Sequence, residues 1–513
     1  MSQPRVEAYC WTISEWIQGC NLNHPNCPSQ ATRLPSRVLD IGTETSPKIS
    51  LHISHGGTGI YTALSHCWGK FGPLRTLKQN RHLRQEGILY SELPKTFQDA
   101  VLVTRGLGIR YLWIDSLCII QDDTEDWQVE SANMAAIYSN AYLVIGATKA
   151  DDCHRGFLDP VNQRLYNYGT HTYFHCDLDK GKHEPLVKRA WTLQEQLLAS
   201  RMVHFTSSEM IWECKTRLLC FCKQLDSLPS LPYVKKSYLA ALSSSTPDDI
   251  FTIWLQVVQS LTGRSLTYPT DLLPAISGIA RQIQSCGVGV YLAGMWADSL
   301  PKSLLWHRIG DWFRDPSQPT NYIAPTWSWA SLYSSGRIES APAMGPKWET
   351  KYDIMHTKVL SFSTTPKGKD PTGEVTYCSL TLSGPLIRVE FYEYDKNREQ
   401  VISTARERFA PFGDGYSESL KCFIRFDREF SKIPNHGPLF CLFVAEEKYD
   451  KGNVERGDAK EGDRKLSGLV LKASGKEEGA LERVGMFGDV VNEGGTSSHD
   501  LFLKAVETVV KII

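Results

Sequence analysis

The feature that most constrains the fold is an alternation of short apolar runs with amphipathic stretches between residues 60 and 214. The apolar runs predict strands at residues 60–65, 110–115, 141–148, 201–206 and 209–214. Between the first of these runs, residues 93–108 and 122–141 carry apolar side chains at helical spacing and begin with a proline or with acidic residues. Short strands that alternate with such helices predict an α/β fold with a doubly wound, mostly parallel sheet.

The regions on either side of this alternation predict further units, as expected for a chain of 513 residues. An N-terminal helix at residues 8–27 and a hairpin precede the alternation and complete a first domain over residues 1–222. Residues 223–340 predict a helical, tryptophan-rich region, and residues 341–513 predict a small β-rich unit. Within that unit, the charged and glycine-containing segment 446–465 predicts an exposed loop.

Composition excludes several classes of function. The formal net charge is −1 and the pI is about 6.9, so we expect no electrostatic attraction to nucleic acid. No run approaches the roughly 20 apolar residues that span a bilayer, and the N-terminus lacks the pattern of a secretory signal. Several of the 14 cysteines lie in apolar runs, which predicts buried thiols in a reducing compartment. We therefore predict a cytoplasmic protein without a membrane span.

Two polar sequences stand directly after apolar strands. SHCW occupies residues 65–68 after the first strand, and Asp115 and Ser116 follow the strand at residues 110–114. In doubly wound sheets, ligands bind in the crevice beyond the carboxyl ends of the strands. We therefore expect both polar sequences to lie on the same edge of the sheet and to form a binding site there.

Several long motifs follow one another along the chain: YTALSHCWG, LPKTFQDAV, YLWIDSLCIIQDDTEDWQVESANMAAIYSNA and RAWTLQEQLLASRMVHFT. Together they resemble the successive motifs of the fungal heterokaryon incompatibility (HET) domain. The W-x-x-x-C and H-x-x-C pattern near the N-terminus is also similar to the family, as are DLLPAISGIA, YLAGMW and APTWSWAS. The resemblance covers about residues 8–335. Small departures occur where the family mostly has Gly, Arg and Pro, at Ala190, Gln196 and Ser200.

This resemblance implies a role in fungal non-self recognition and programmed cell death. The HET domain is similar to the TIR domain, which implies a TIR- or flavodoxin-like topology. Several TIR proteins cleave NAD with a helical glutamate in a W-C-x-x-E setting, and Trp191 and Glu195 in WTLQE resemble that setting. NAD is thus implied as a substrate and not as a cofactor. The alternative is a non-catalytic adaptor that self-associates through the HET domain or binds an incompatibility partner protein.

The role of Glu195 has two interpretations. Cleavage of the nicotinamide–ribose bond builds positive charge on the sugar, and a carboxylate beside the ribose stabilises that charge. As an enzyme residue, Glu195 would supply this carboxylate, and Trp68 or Trp191 would form a wall of the pocket. Alternatively, Thr192 and Glu195 form a T-x-x-E capping box that stabilises the start of a helix without any chemistry.

The residues at the strand ends also have two interpretations each. Ser65 and His66 either hold a nucleotide or cap the turn after their strand. Asp115 either positions a ribose hydroxyl, with Ser116 beside it, or caps a turn. Cys67 beside His66 suggests a thiol nucleophile and its base, but adjacent strand residues point to opposite faces, which favours a buried thiol.

Two groups of possible metal ligands remain. Cys20, His24 and Cys27 share one helical face and, with Cys10, could supply zinc ligands. Prolines interrupt this run and its spacing fits no common zinc finger, so we favour a buried helix end. The acidic residues at 122–126 are expected to cap the next helix instead of binding a cation. We therefore predict no metal site.

Overall fold

The computed structural model describes residues 3–43, 46, 48–158, 166–168, 171–173, 184–223, 234–243, 246–308, 322–332, 346–348, 352–389, 401–406, 419–427, 438–448, 464–491, 502 and 504–513. The chain divides into two units. The first comprises residues 1–253, 264–266 and 274–283, and the second comprises residues 254–263, 267–273 and 284–513. None of the helices in the described ranges is both long enough and apolar enough to cross a membrane.

The described helices lie mainly in the first half of the chain. They are α1 Gln3–Asn23, α2 Arg81–Glu86, α3 Lys95–Gly106, α4 Asp115–Cys118, α5 Thr124–Asn140, α6 Trp191–Leu198, α7 Val234–Leu242, α8 Pro247–Thr262 and α9 Pro274–Gln284. The first-unit strands are β1 Thr32–Arg33, β2 Arg37–Asp40, β3 Lys48–Ile53, β4 Thr58–Gly59, β5 Tyr61–Ser65, β6 Ile88–Leu89, β7 Tyr111–Trp113, β8 Leu143–Gly146, β9 Tyr166–Tyr168, β10 His171–Tyr173, β11 Arg201–Phe205, β12 Met210–Cys214 and β13 Leu218–Cys220.

The first unit is built around a nine-stranded sheet with the order β13-β12-β11-β8-β5-β7-β2-β3-β6. Strands β11, β8, β5 and β7 pair in parallel, whereas the strands on both flanks pair antiparallel. The α/β prediction is confirmed, but the prediction of a mostly parallel sheet is wrong, because five of the eight pairings along this order are antiparallel. Strands β11, β12 and β13 follow one another through connections of three or four residues, which can join only antiparallel strands.

The predicted elements of this unit occur close to their predicted positions because their local signals agree with the packing. The apolar run at residues 60–65 forms β5, which is buried along its whole length at the centre of the sheet. Helix α5 starts after Asp123, whose carboxylate accepts hydrogen bonds from the backbone N–H groups of Glu125 and Asp126. The capping role expected for the acidic residues at 122–126 is therefore confirmed at Asp123.

The second unit is rich in strands. They are β14 Tyr291–Leu292, β15 Met295–Trp296, β16 Trp306–Arg308, β17 Pro346–Trp348, β18 Ile354–Met355, β19 Lys358–Pro366, β20 Val375–Val389, β21 Val401–Arg406, β22 Ser419–Phe426, β23 Leu439–Lys448, β24 Arg464–Ala473, β25 Leu481–Val491 and β26 Glu507–Ile512. Strands β20, β23, β24, β25 and β26 pair in a closed ring. This barrel-like arrangement confirms the β-rich prediction for the C-terminal region.

Two predictions for the second half of the chain need correction or stay open. The predicted loop at 446–465 begins and ends in strands, since residues 446–448 belong to β23 and residues 464–465 to β24. Its central residues, 449–463, lie outside the described residues. The domain boundaries after residues 222 and 340 stay predictions, as does the TIR- or flavodoxin-like topology.

Candidate functional site

The two polar sequences at the strand ends meet at one edge of the first-unit sheet, as expected. Ser65 is the last residue of β5, and Asp115 is the first residue of α4, directly after β7. The indole N–H of Trp68 donates to the carboxylate of Asp115 over 2.8 Å. The ring atom Nδ1 of His66 lies 3.8 Å from the same carboxylate. Parallel pairing of β5 with β7 brings these carboxyl ends together.

Glu195 joins this edge from a segment 130 residues further along the chain. Its carboxylate accepts a hydrogen bond from the hydroxyl of Ser65. The side chain is only 4% exposed, and burial raises its pKa to about 7 against the lowering effects of Arg189 and of the Ser65 hydrogen bond. The hydroxyl of Tyr138, which donates to the carbonyl of Leu64 at 3.3 Å, also acts on this carboxylate and lowers its pKa. Glu195 thus holds its charge weakly at neutral pH.

The capping-box interpretation of Glu195 is wrong. Helix α6 has Ala190 at its N-cap, and no side chain caps its first turn. The hydroxyl of Thr192 donates to the carbonyl oxygens of Leu186 at 2.9 Å and of Arg189 at 2.8 Å. The hydroxyl therefore tethers the helix start to the preceding turn, and the Glu195 carboxylate is directed to Ser65 instead of to the helix start.

Two arginines surround the Glu195 carboxylate with positive charge. Arg189 donates to the backbone carbonyl of His66. Arg264 donates to the hydroxyl of Thr192 at 2.9 Å, and burial lowers the pKa of its guanidinium to about 10 despite the opposing charge of Glu195. The charge of Arg189 lowers the pKa of Glu195, and the charge of Glu195 in turn raises the pKa of Arg264.

Sequence reasoning missed Tyr138, Arg189 and Arg264. Arg189 is the first residue of the motif RAWTLQE that also contains Glu195, so the sequence could have indicated that the two residues act together. Tyr138 lies within the long motif of α5, where its helical spacing indicated only a core residue. Arg264 lies 75 residues from Arg189, and no pattern connects the two segments.

The neighbours of Ser65 do not form a thiol–imidazole pair. Burial raises the pKa of the Cys67 thiol to about 11 and lowers the pKa of His66 to about 4. Cys67 is therefore a neutral thiol at physiological pH, and neutral thiols are poor nucleophiles. The His66 ring packs edge-to-face on Phe97 with 5.0 Å between ring centroids. These contacts support a buried thiol at Cys67.

The remaining predicted site residues have distinct surroundings. The carboxylate of Asp115 accepts a 2.6 Å hydrogen bond from the backbone N–H of Ser116, while its other oxygen binds Trp68. The hydroxyl of Ser116 is fully buried and has no hydrogen-bond partner in the described ranges. Trp191 is partly buried against the hydrophobic core, one helical turn before Glu195. Asp115 thus both supports the turn and faces the other site residues.

Residues 61–195 match the family model described as heterokaryon incompatibility protein (HET). This segment is a HET domain. Its match begins at the first residue of β5 and ends at Glu195, so that it includes both partners of the Ser65–Glu195 hydrogen bond. No curated protein and no solved structure matches the chain.

The central residues of this site in the HET domain are buried, whereas residues at its edge are partly exposed to solvent. Ser65 and His66 are buried together with Glu195, whereas Asp115 and Trp68 are partly exposed. A separate pocket of about 450 Å³ lies towards the other end of β5 and is lined by residues that include Tyr61. The candidate site is therefore a buried carboxylate with Trp68 and Asp115 at its partly exposed edge, and it is distinct from that pocket.

Proposed function

We propose that this HET-domain protein acts in fungal non-self recognition and programmed cell death by hydrolysing NAD. The observation that carries the proposal is the contact of Ser65 with Glu195 at the carboxyl ends of parallel strands, inside the matched HET segment. A buried carboxylate with a pKa near neutrality is typical of catalytic sites. The general heterokaryon-incompatibility role follows from the HET match, and the reaction is our addition.

In the proposed reaction, the bond between the ribose C1′ and the nicotinamide nitrogen breaks. Its electron pair stays on the nitrogen, so the cationic pyridinium leaves as neutral nicotinamide and C1′ becomes an oxocarbenium centre. The ionised Glu195 carboxylate stabilises that centre, and Ser65 holds the carboxylate in place. Water then adds to C1′ and releases one proton, which yields ADP-ribose. The overall reaction needs only NAD and water.

The other residues of the edge would bind the rest of the substrate. Asp115 and His66 would position the ribose hydroxyls, and Trp68 would cover the nicotinamide ring. Arg189 is partly exposed, and its guanidinium would meet the pyrophosphate. Because Glu195 is only 4% exposed, its carboxylate has to become accessible before NAD can react. We therefore propose that turnover depends on a trigger, such as assembly of several chains.

The same burial favours a second candidate, a signalling adaptor without turnover. In that case the hydrogen bonds around Glu195 hold the sheet edge in shape, and the HET domain acts by self-association or by binding a partner protein. A buried carboxylate that accepts a hydrogen bond from Ser65 is compatible with such a structural role.

Expression of the full chain in yeast, with growth and cellular NAD measured together, separates these functions. The hydrolase predicts slower growth and falling NAD with the wild type, and neither effect with Glu195→Gln at equal protein level. Asp151→Asn is the matched control, because this aspartate is exposed and should leave both effects unchanged. Slow growth with unchanged NAD supports the adaptor. Normal growth with unchanged NAD, at a protein level at which the chains assemble, would contradict both functions.

A further inference from the structure

Four side chains that bind zinc in other proteins converge in the first unit. Cys20 lies in the last turn of α1, His24 follows the helix, Cys27 lies in the next turn, and Cys214 is the last residue of β12. Their sulfur and ring nitrogen atoms all lie within 4.8 Å of one another. The side chain of Cys214 comes from 190 residues away and brings a fourth potential ligand to the three seen in the sequence.

The distances fit tetrahedral coordination. With Zn–S near 2.3 Å and Zn–N near 2.0–2.1 Å, tetrahedral angles place a sulfur and a nitrogen ligand about 3.5 Å apart. The Sγ atom of Cys214 lies 3.5 Å from Nδ1 of His24. Three cysteines and one histidine form one of the common ligand sets of structural zinc sites.

The backbone around the cluster is arranged to hold sulfur ligands. The N–H groups of Thr216 and Arg217 donate to Sγ of Cys214 at 3.4 and 3.2 Å. Backbone donors of this kind stabilise the charge of a thiolate and orient it. On the other side, the backbone N–H of Cys27 donates to the carbonyl of His24 at 3.0 Å, which closes the turn that carries both ligands.

A buried cation lies beside the cluster. Lys235 is 1% exposed, and its ammonium has no hydrogen-bond partner in the described part of the chain. It interacts electrostatically with Glu213, Cys214 and Cys27. A zinc ion with three thiolates and a neutral imidazole carries a net charge of −1, which a neighbouring ammonium balances. Glu213 is the main opposite charge for this buried lysine, and the ionised cluster would add a second one.

We propose that Cys20, His24, Cys27 and Cys214 bind one Zn²⁺ ion. On binding, the three thiols each release a proton to solvent, His24 binds as the neutral imidazole, and no electron transfer occurs. The ion fastens the end of α1 and its following turn to the end of β12. Cys10, the fourth ligand considered from the sequence, lies outside the cluster with its Sγ 3.9 Å from the carbonyl of Val103.

Metal analysis of the full chain, purified under reducing conditions without chelators, tests this site. We expect about one zinc per chain in the wild type and a loss of at least about tenfold in Cys214→Ser and in Cys20→Ser. Cys10→Ser is the matched control, because this residue is a buried cysteine of the same helix outside the cluster, and it should retain the zinc.

A second measurement covers the case in which the cluster variants fail to fold. X-ray absorption of the zinc-loaded wild type should show three sulfurs at about 2.3 Å and one nitrogen at about 2.0–2.1 Å. Three results would each overturn the proposal. They are a wild type that is purified without zinc and with free thiols, a disulfide within the cluster, and a Cys214→Ser chain that keeps its zinc.

Discussion

Two buried carboxylates of the HET domain, Asp99 and Glu195, illustrate how motif residues can serve different purposes. Asp99 lies on α3 in the motif LPKTFQDAV and is bound by the ammonium of Lys95. Its other oxygen accepts the backbone N–H groups of Phe157 at 2.7 Å and Leu158 at 3.1 Å. Glu195, by contrast, accepts a hydrogen bond from the hydroxyl of Ser65, and the charges of Arg189 and Arg264 act on it electrostatically.

The difference lies in how fully the protein compensates each buried charge. Asp99 has one cation and two backbone donors, as expected for a residue that fixes a loop on a helix. Glu195 accepts a hydrogen bond from a neutral hydroxyl, and burial raises its pKa to about 7 despite the charge of Arg189. A buried charge that is poorly compensated destabilises the fold, so stability does not explain why Glu195 is present. The difference between the two carboxylates therefore favours a functional role for Glu195.

The largest expected effect on stability belongs to Asp99→Asn. The amide cannot compensate the Lys95 ammonium or accept the two N–H groups as strongly. Breaking a fully buried ion pair costs about 3–5 kcal/mol, and because the Lys95 side chain is 32% exposed the lower end of that range applies. We expect a loss of about 3 kcal/mol in the free energy of unfolding, measured by urea denaturation. Asp151→Asn, at an exposed pair, should change it by less than about 0.5 kcal/mol. If Asp99→Asn lowered the free energy of unfolding as little as Asp151→Asn does, Asp99 would not be a well-compensated buried charge and would not differ from Glu195 in this respect.

Glu195→Gln should stabilise the protein, and the gain should grow with pH. The folded pKa of about 7 exceeds the ordinary value of 4.5, so the folded state binds the proton more tightly than the unfolded state. The wild type therefore loses stability as the pH rises from about 4.5 through 7, whereas the glutamine variant does not. The difference reaches at most about 3 kcal/mol at pH 8. Denaturation at pH 5 and pH 8 measures it, and a pH-independent difference would contradict the raised pKa.

Ser65→Ala should have an intermediate effect. It removes one donor to the Glu195 carboxylate, and a hydrogen bond to a charged group contributes about 1.5–3 kcal/mol when the group is ionised. The loss of stability should therefore be larger at pH 8 than at pH 5. If the loss were equal at both pH values, the hydroxyl would contribute through packing and not through the carboxylate.

The smallest effect is expected for Ser116→Ala, a matched control for Ser65→Ala. Both serines are fully buried at the same edge, but the Ser116 hydroxyl has no hydrogen-bond partner in the described ranges. Removing an unsatisfied buried hydroxyl should leave the free energy of unfolding within about 0.5 kcal/mol or increase it. A loss comparable to that of Ser65→Ala would show that burial alone accounts for both serines.

Local signals made much of this fold predictable. The strand at 60–65 and the helices at 93–108 and 122–141 have periodic patterns or caps, and the structure places β5, α3 and α5 there. The predicted parallel pairing of two strands also indicated that SHCW and Asp115 lie at the same edge of the sheet, and the structure places them together there. The antiparallel flanks escaped prediction because the order of strands in a sheet is a long-range property.

The residues of both sites that could not be predicted from the sequence escaped prediction for the same physical reason. Arg264 reaches the Glu195 region, and Cys214 reaches the cysteine–histidine cluster, from segments with no pattern that names their partner. A buried arginine or a cysteine at a strand end has the same local signature in an ordinary core. Only the three-dimensional arrangement distinguishes them, since it shows which charges and sulfur atoms lie together.

The pH profile of nicotinamide release by the full chain, measured at a concentration at which the chains assemble, shows whether the ionised Glu195 carboxylate is the reactive group. The ionised carboxylate is the reactive form, so kcat/KM of the assembled chain should rise with pH as Glu195 ionises and level off once it is fully charged. Glu195→Gln should release no nicotinamide at any pH, while Asp151→Asn should reproduce the wild-type profile. Equal turnover by Glu195→Gln, or a profile that does not change between pH 5 and 9, would contradict the account.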